Sequence, residues 1–189
     1  MITKYIPNIL TSFRIFLIPI FVIYLLIVQN YLLSFIIFSI ASMTDWADGY
    51  FARRFNVVSN FGIFFDPLAD KLLVLSAFIS FLYIDLLANT NSIELWMVII
   101  IAFRDLSITL LRVIINLKGN YTLLTSRIAK LKTALQFITI NFTLVCLMYS
   151  NYFQFIYYLM FVTTLVTLYT GIYYYYYNGR KLIGILLNK

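Results

Sequence analysis

Histidine is absent from this chain. That removes the usual general base near neutral pH, the histidine nucleophile, the haem ligand and the H-E-x-x-H zinc site. The only cysteine, Cys146, leaves no intrachain disulfide and no cysteine-built metal centre. Charge is scarce too, at 11% of 189 residues, where a soluble domain carries about 25%. Acid–base chemistry therefore falls to Asp, Glu, Lys, Tyr or Cys. The net charge of +7 raises the question of nucleic acid. The basic residues flank apolar runs instead of forming a patch, so nucleic acid is not an expected partner.

What the chain has in quantity is apolar sequence, 63% of its residues. Several runs approach the ~20 residues that cross a bilayer as a helix. Six spans are expected, at about 7–28, 31–54, 60–86, 94–117, 124–149 and 152–177. The expected fold is all-α, a polytopic membrane protein with short links and one bundle over residues 1–189. No cleavable signal peptide is expected, because the first run has no small-residue cleavage site. Lys4, Arg53, Arg54, Lys118, Arg127, Lys130, Lys132, Arg180, Lys181 and Lys189 all fall at alternate links or ends. The links at Gln29–Asn30, Ala88–Ser92 and Ser150–Asn151 carry no Lys or Arg. By the positive-inside rule, both termini face the cytoplasm and the protein sits in the cytoplasmic membrane. The tyrosine run 173–177 fits an interfacial aromatic belt.

Four of the seven acidic residues crowd between the second and third runs: Asp45, Asp48, Asp66 and Asp70. Carboxylates beside lipid-spanning segments are costly and mark function. The spacing is Asp45-x2-Asp48-Gly49-x2-Ala52-Arg53-x8-Gly62-x3-Asp66-x3-Asp70. On helices, these offsets put Asp45, Asp48, Gly49 and Ala52 on one face, and Gly62, Asp66 and Asp70 on another. Four carboxylates repel one another unless cations lie between them, so a divalent-metal site is expected. Gly49 and Ala52 leave room for a ligand, and Arg53 suits a phosphate or diphosphate. This set is built for phosphoanhydride chemistry, with one carboxylate able to serve as general base toward an alcohol. Caps and topology charges are the plainer reading. Asp66 before Pro67 has the look of a helix N-cap, but capping accounts for one aspartate of the four. A divalent-cation transporter is the alternative of another class. It lacks a polar path from the acidic window to Asp85 and Glu94 at the opposite side.

The window matches all eight fixed positions of the signature of the CDP-alcohol phosphatidyltransferases. The stretches IPNILTSFRIFLIPIF, FDPLADKLLV, KLKT and GIYYYYYNGRK further resemble the bacterial phosphatidylglycerophosphate synthases of that family. The resemblance implies a six-transmembrane-helix bundle and transfer of a phosphatidyl group from CDP-diacylglycerol to glycerol 3-phosphate, releasing CMP. It implies that Asp45, Asp48, Asp66 and Asp70 bind Mg²⁺ or Mn²⁺, with Asp70 also the catalytic base. Gly49, Ala52, Arg53 and Gly62 would take CDP-diacylglycerol. Membrane lipids are expected neighbours, and a homodimer is the analogous assembly. Inositol phosphate, serine or phosphatidylglycerol is the alternative acceptor. Three positions depart from common relatives: Ile63 stands where a Lys is frequent, Asp105 where a Glu is, and Ala129 where a Gly is.

A phosphorylated acceptor needs cations, and the candidates are Arg104, Arg112, Arg127, Lys130 and Lys132. Arg104 lies deep in an apolar run and is expected to face the bundle interior, or to pair with Asp105 or a motif aspartate. Asn8, Thr11 and Arg14 share a face of the first span, and Arg14 is expected to point inward. Lys71 is read as offsetting the charge of Asp70.

Overall fold

The computed structural model describes residues 6–55, 60–118 and 127–187, with side chains outside the description at 6–10, 45–55, 60–67, 113–114, 116–118, 127–130 and 179–187. Among the described residues there are helices and no strand. They are α1 (Ile6–Val22), α2 (Tyr31–Phe55), α3 (Asn60–Phe81), α4 (Asp85–Asn89), α5 (Leu95–Lys118), α6 (Arg127–Tyr149) and α7 (Phe153–Leu187).

The links are set by local chemistry. Pro19 lies inside α1, and the helix then widens into a π-turn over Ile23–Ile27. There the Val28 amide donates to the Ile23 carbonyl at 3.0 Å, five residues back. Gln29 turns the chain with φ of 54°, and the Asn30 side chain accepts from the Leu33 amide at 3.0 Å, capping α2. Asn91, Ser150 and Tyr152 hold the same left-handed conformation in the later links.

Two boundaries differ from the sequence expectation, and the start of the third span at residue 60 agrees with it. The third run stops at Phe81, because Ile84 is extended (φ −90°, ψ 115°) and a new short helix, α4, begins at Asp85. The acidic side chain at that first turn favours the helix start. The last helix continues to Leu187, well past 177. Asn178 does not break it; its Nδ2 donates to the Tyr174 carbonyl one turn back at 3.2 Å. The helix carrying Pro67 begins at Asn60, so Pro67 is internal to α3.

α1 packs on α2 and α3, α2 on α6, α6 on α7, and α5 on α3 and α7. Phe21, Leu25, Phe38, Phe78, Phe81 and Met97 fill the centre, with the Phe21 and Phe38 rings 5.6 Å apart. Large apolar side chains also cover the outside of the bundle, and several long polar ones lie within it. Phe103 is 74% exposed, while Arg14, Lys132 and Gln136 are at most 1% exposed. Such a surface fits lipid, where apolar transfer stabilises little and close packing and interhelical hydrogen bonds hold helices together. Two described stretches, Leu131–Tyr149 and Phe153–Asn178, are long and apolar enough to cross a membrane, and shorter apolar stretches run over Thr11–Ile27 and Tyr31–Thr44.

The α6–α7 seam is polar. Thr139 and Thr163, both fully buried, meet across it at 2.7 Å. Each hydroxyl also lies 2.8 Å from the carbonyl one turn back on its own helix. Two protons thus serve three contacts, one across the seam and the others along it.

Candidate active site

Asp45, Asp48, Gly49, Ala52 and Arg53 lie on the C-terminal part of α2, and Gly62, Asp66 and Asp70 on the N-terminal half of α3. These segments are consecutive, separated only by 56–59. Of these side chains only that of Asp70 is among the described residues. Asp66 is internal to a helix that begins at Asn60, which leaves it no role as that helix's N-cap.

Asp70 is partly buried and lies three residues before the buried Leu73–Val74 pair of α3. Its Oδ2 pairs with Lys71 Nζ. Its Oδ1 is buried and has no hydrogen-bond partner among the described residues. A buried anionic oxygen left unmatched costs about 1–3 kcal/mol or more. It suits a cation or an incoming proton. Hard carboxylate oxygens are the donor type that Mg²⁺ and Mn²⁺ select, so this oxygen and the four-aspartate set fit such an ion. Among the described residues alone, no three ligating side chains gather into a metal-sized group.

A second cluster lies between α5, α6 and α7. Asp105, on α5, has a side chain with no solvent exposure. Its Oδ1 accepts from Lys132 Nζ at 2.5 Å and from Arg104 Nη1 at 3.1 Å, and its Oδ2 accepts from Gln136 Nε2 at 3.0 Å. Lys132 and Gln136 are four apart on α6, so one helix face supplies both. Arg104 reaches onward: its Nη2 donates to Thr170 Oγ1 on α7 at 3.0 Å. Two cations on one carboxylate leave the described cluster with a surplus positive charge, suited to an anion.

Gly171 makes this geometry possible. A Cβ there would sit 2.9 Å from Arg104 Cγ, near the root of that side chain where it cannot simply swing aside. Gly171→Ala is expected to destabilise the fold by about 1–3 kcal/mol through overpacking, read as a lower midpoint of thermal unfolding in micelles. An unchanged midpoint would contradict the close approach.

The five candidate acceptor cations separate into groups. Arg104 and Lys132 converge on Asp105. Arg112 lies roughly 12 Å further along α5, with its guanidinium 5.3 Å from the Tyr174 ring centre. Arg127 and Lys130 begin α6, and their side chains lie outside the described residues. Arg14 is fully buried, as is Thr11. Sequence reasoning missed Gln136, Thr170 and Gly171. The available signal was weak: a lone Gln one turn after Lys132, and threonines recurring every three or four residues through the last apolar run.

The profile of the CDP-alcohol phosphatidyltransferase family matches residues 4–169. That range includes the whole acidic window and Arg104, Asp105, Lys132 and Gln136, and it ends one residue before Thr170. The chain is 41% identical over 149 residues to a Bacillus subtilis (strain 168) protein named CDP-diacylglycerol–glycerol-3-phosphate 3-phosphatidyltransferase, covering 71% of this chain and 74% of the relative. A Rickettsia prowazekii protein of the same name is 41% identical over 143 residues, 74% of this chain and 75% of the relative. A Salmonella paratyphi A protein of that name is 50% identical over a shorter stretch of 76 residues, 39% of this chain and 42% of the relative. With a profile match over most of its length and relatives of this closeness, the chain belongs to the CDP-alcohol phosphatidyltransferase family.

Proposed function

We propose that this chain transfers a phosphatidyl group from CDP-diacylglycerol to glycerol 3-phosphate, giving phosphatidylglycerophosphate and CMP. The observation that carries the reading is the 41% identity to relatives of that name across most of both chains. The complete eight-position motif supports it, and the acidic and basic clusters supply the two kinds of group the reaction needs.

The bond chemistry is a displacement at the phosphatidyl phosphorus. A primary hydroxyl oxygen of the acceptor bonds to that phosphorus, and the phosphoanhydride bond to CMP breaks. Asp70 takes the hydroxyl proton on the oxygen that has no described partner, while Lys71 holds the other oxygen. Arg53 holds the diphosphate, and Gly49, Ala52 and Gly62 give the nucleotide room against the helix backbones. Mg²⁺ or Mn²⁺, held by Asp45, Asp48, Asp66 and Asp70, would neutralise the diphosphate and ease departure of CMP. Arg104 and Lys132 bind the acceptor phosphate, with Arg112, Arg127 and Lys130 drawing it in. We read α1, α2, α3, α5, α6 and α7 as six membrane spans of a single catalytic domain, with both termini and the acidic window on the cytoplasmic side. A homodimer is the proposed assembly.

The test is direct. Purified full-length protein with CDP-diacylglycerol, Mg²⁺ or Mn²⁺ and labelled glycerol 3-phosphate should release CMP and a labelled lipid, and EDTA should stop both. No CMP release with any of glycerol 3-phosphate, inositol phosphate, serine or phosphatidylglycerol defeats the enzymatic reading. Release with another of these and not with glycerol 3-phosphate moves the acceptor.

A further inference from the structure

Gln136 is fully buried on α6, in the space between three helices, and only half of its amide is used. Its nitrogen faces Asp105 Oδ2 at 3.0 Å. That orientation is dictated by chemistry: an ionised carboxylate has no proton to give, so the amide must donate to it. The carbonyl oxygen Oε1 is thereby turned to the other side, where it is buried and has no hydrogen-bond partner among the described residues. On the facing helix α7, Thr167 Oγ1 is likewise buried with no partner among the described residues. Arg104 is tied to the same carboxylate. α6 and α7 run antiparallel with Thr139 opposite Thr163, so one turn further along each helix sets Gln136 level with Thr167. A carbonyl oxygen and a hydroxyl at one level of facing helices, both without partners among the described residues, mark a place made for a small polar group. The Lys132 ammonium lies one turn from Gln136 on the same face of α6, roughly 6 Å along the axis.

We propose that Gln136 is a specificity-determining residue for the acceptor alcohol, its Oε1 accepting a hydrogen bond from the hydroxyl that does not react, while Lys132 and Arg104 hold the phosphate. This rests on the acceptor reading given above and adds to it the group that tells a polyol phosphate from a simple alkyl phosphate. Asp105 is the positioning residue behind it, because it fixes which end of the amide meets the ligand. A site built to bond a hydroxyl discriminates strongly against an analogue without it, since the buried group is then left bare.

The experiment compares glycerol 3-phosphate with 3-hydroxypropyl phosphate, which keeps the reactive primary hydroxyl and the phosphate and lacks only the middle hydroxyl. Full-length wild-type protein and Gln136→Met, matched in shape, are assayed by CMP release at saturating CDP-diacylglycerol. Gln136→Asn is the second variant, for use if Gln136→Met does not fold; its amide is withdrawn by one methylene. Wild type is expected to favour glycerol 3-phosphate by a wide margin in kcat/KM. Either variant should lose about tenfold or more with glycerol 3-phosphate, and less than about threefold with the analogue, so that the ratio collapses. Equal losses with both acceptors overturn the proposal; they are what a water-filled or purely structural role for Oε1 gives. No loss with either also overturns it. Wild type that releases CMP with neither acceptor sinks the acceptor reading itself, a result distinct from an unchanged ratio in a working enzyme.

Discussion

Asp70→Asn should lower CMP release by about a thousandfold, within the 10²–10⁴ range typical of a lost general acid–base group. The substitution keeps the shape and the buried packing around it. It removes the negative charge that Lys71 pairs with and the oxygen that has no described partner. Asn cannot take a proton from the attacking hydroxyl and is a poor ligand for a hard cation. Both proposed roles of the residue are therefore lost together, and they separate by measurement. If proton removal dominates, kcat falls with little change in the Mn²⁺ concentration needed for half-activity. If ion binding dominates, that concentration rises. Activity within about threefold of wild type would remove Asp70 from both roles.

Asp105→Ala should strongly destabilise the described bundle. It strands the Lys132 ammonium and the Arg104 guanidinium in the interior without their common counter-charge, and it leaves the Gln136 amide nitrogen without an acceptor. Breaking a buried pair from one side costs about 3–5 kcal/mol, most of it the desolvation of the partner left behind. In a chain of this size that corresponds to a fall of roughly 10 °C in the midpoint of thermal unfolding. Lys132→Met added to Asp105→Ala should recover part of the loss, since it removes one stranded charge. A midpoint within ~2 °C of wild type for the single variant, against the larger shift expected, would mean that water already reaches these groups.

The acidic window stands out in the sequence because its information is one-dimensional. Fixed offsets of three and four residues put aspartates on helix faces whatever the rest of the chain does. The all-helical character was equally plain, since apolar runs of this length allow little else in lipid. Helix ends were less so. Ile84 interrupts a run that hydropathy reads as continuous, because an extended residue between two apolar helices leaves no mark in composition. The end of α7 was misjudged for the opposite reason: Asn178 and Gly179 look like a stop, yet a side-chain bond one turn back lets the helix run on. The Asp105 cluster joins residues 27 and 31 positions apart. Arg104 beside Asp105 suggested one pair by adjacency. Gln136 and Thr170 entered only once the helices stood side by side, because no spacing rule connects α5 to α6 or α7.

The length of α7 has a mechanical consequence. Its 35 residues span about 52 Å at 1.5 Å each, and the oily layer of a bilayer is only ~30 Å deep. A rod that much longer than the slab around it must lean or protrude. The rings of tyrosines 173 and 177 are tilted at 34° with centres 4.3 Å apart, and tyrosine favours the surface between oil and water. In the six-span arrangement proposed above they would act like a float line, setting how deep the whole assembly rides, with Arg180 and Lys181 just beyond it.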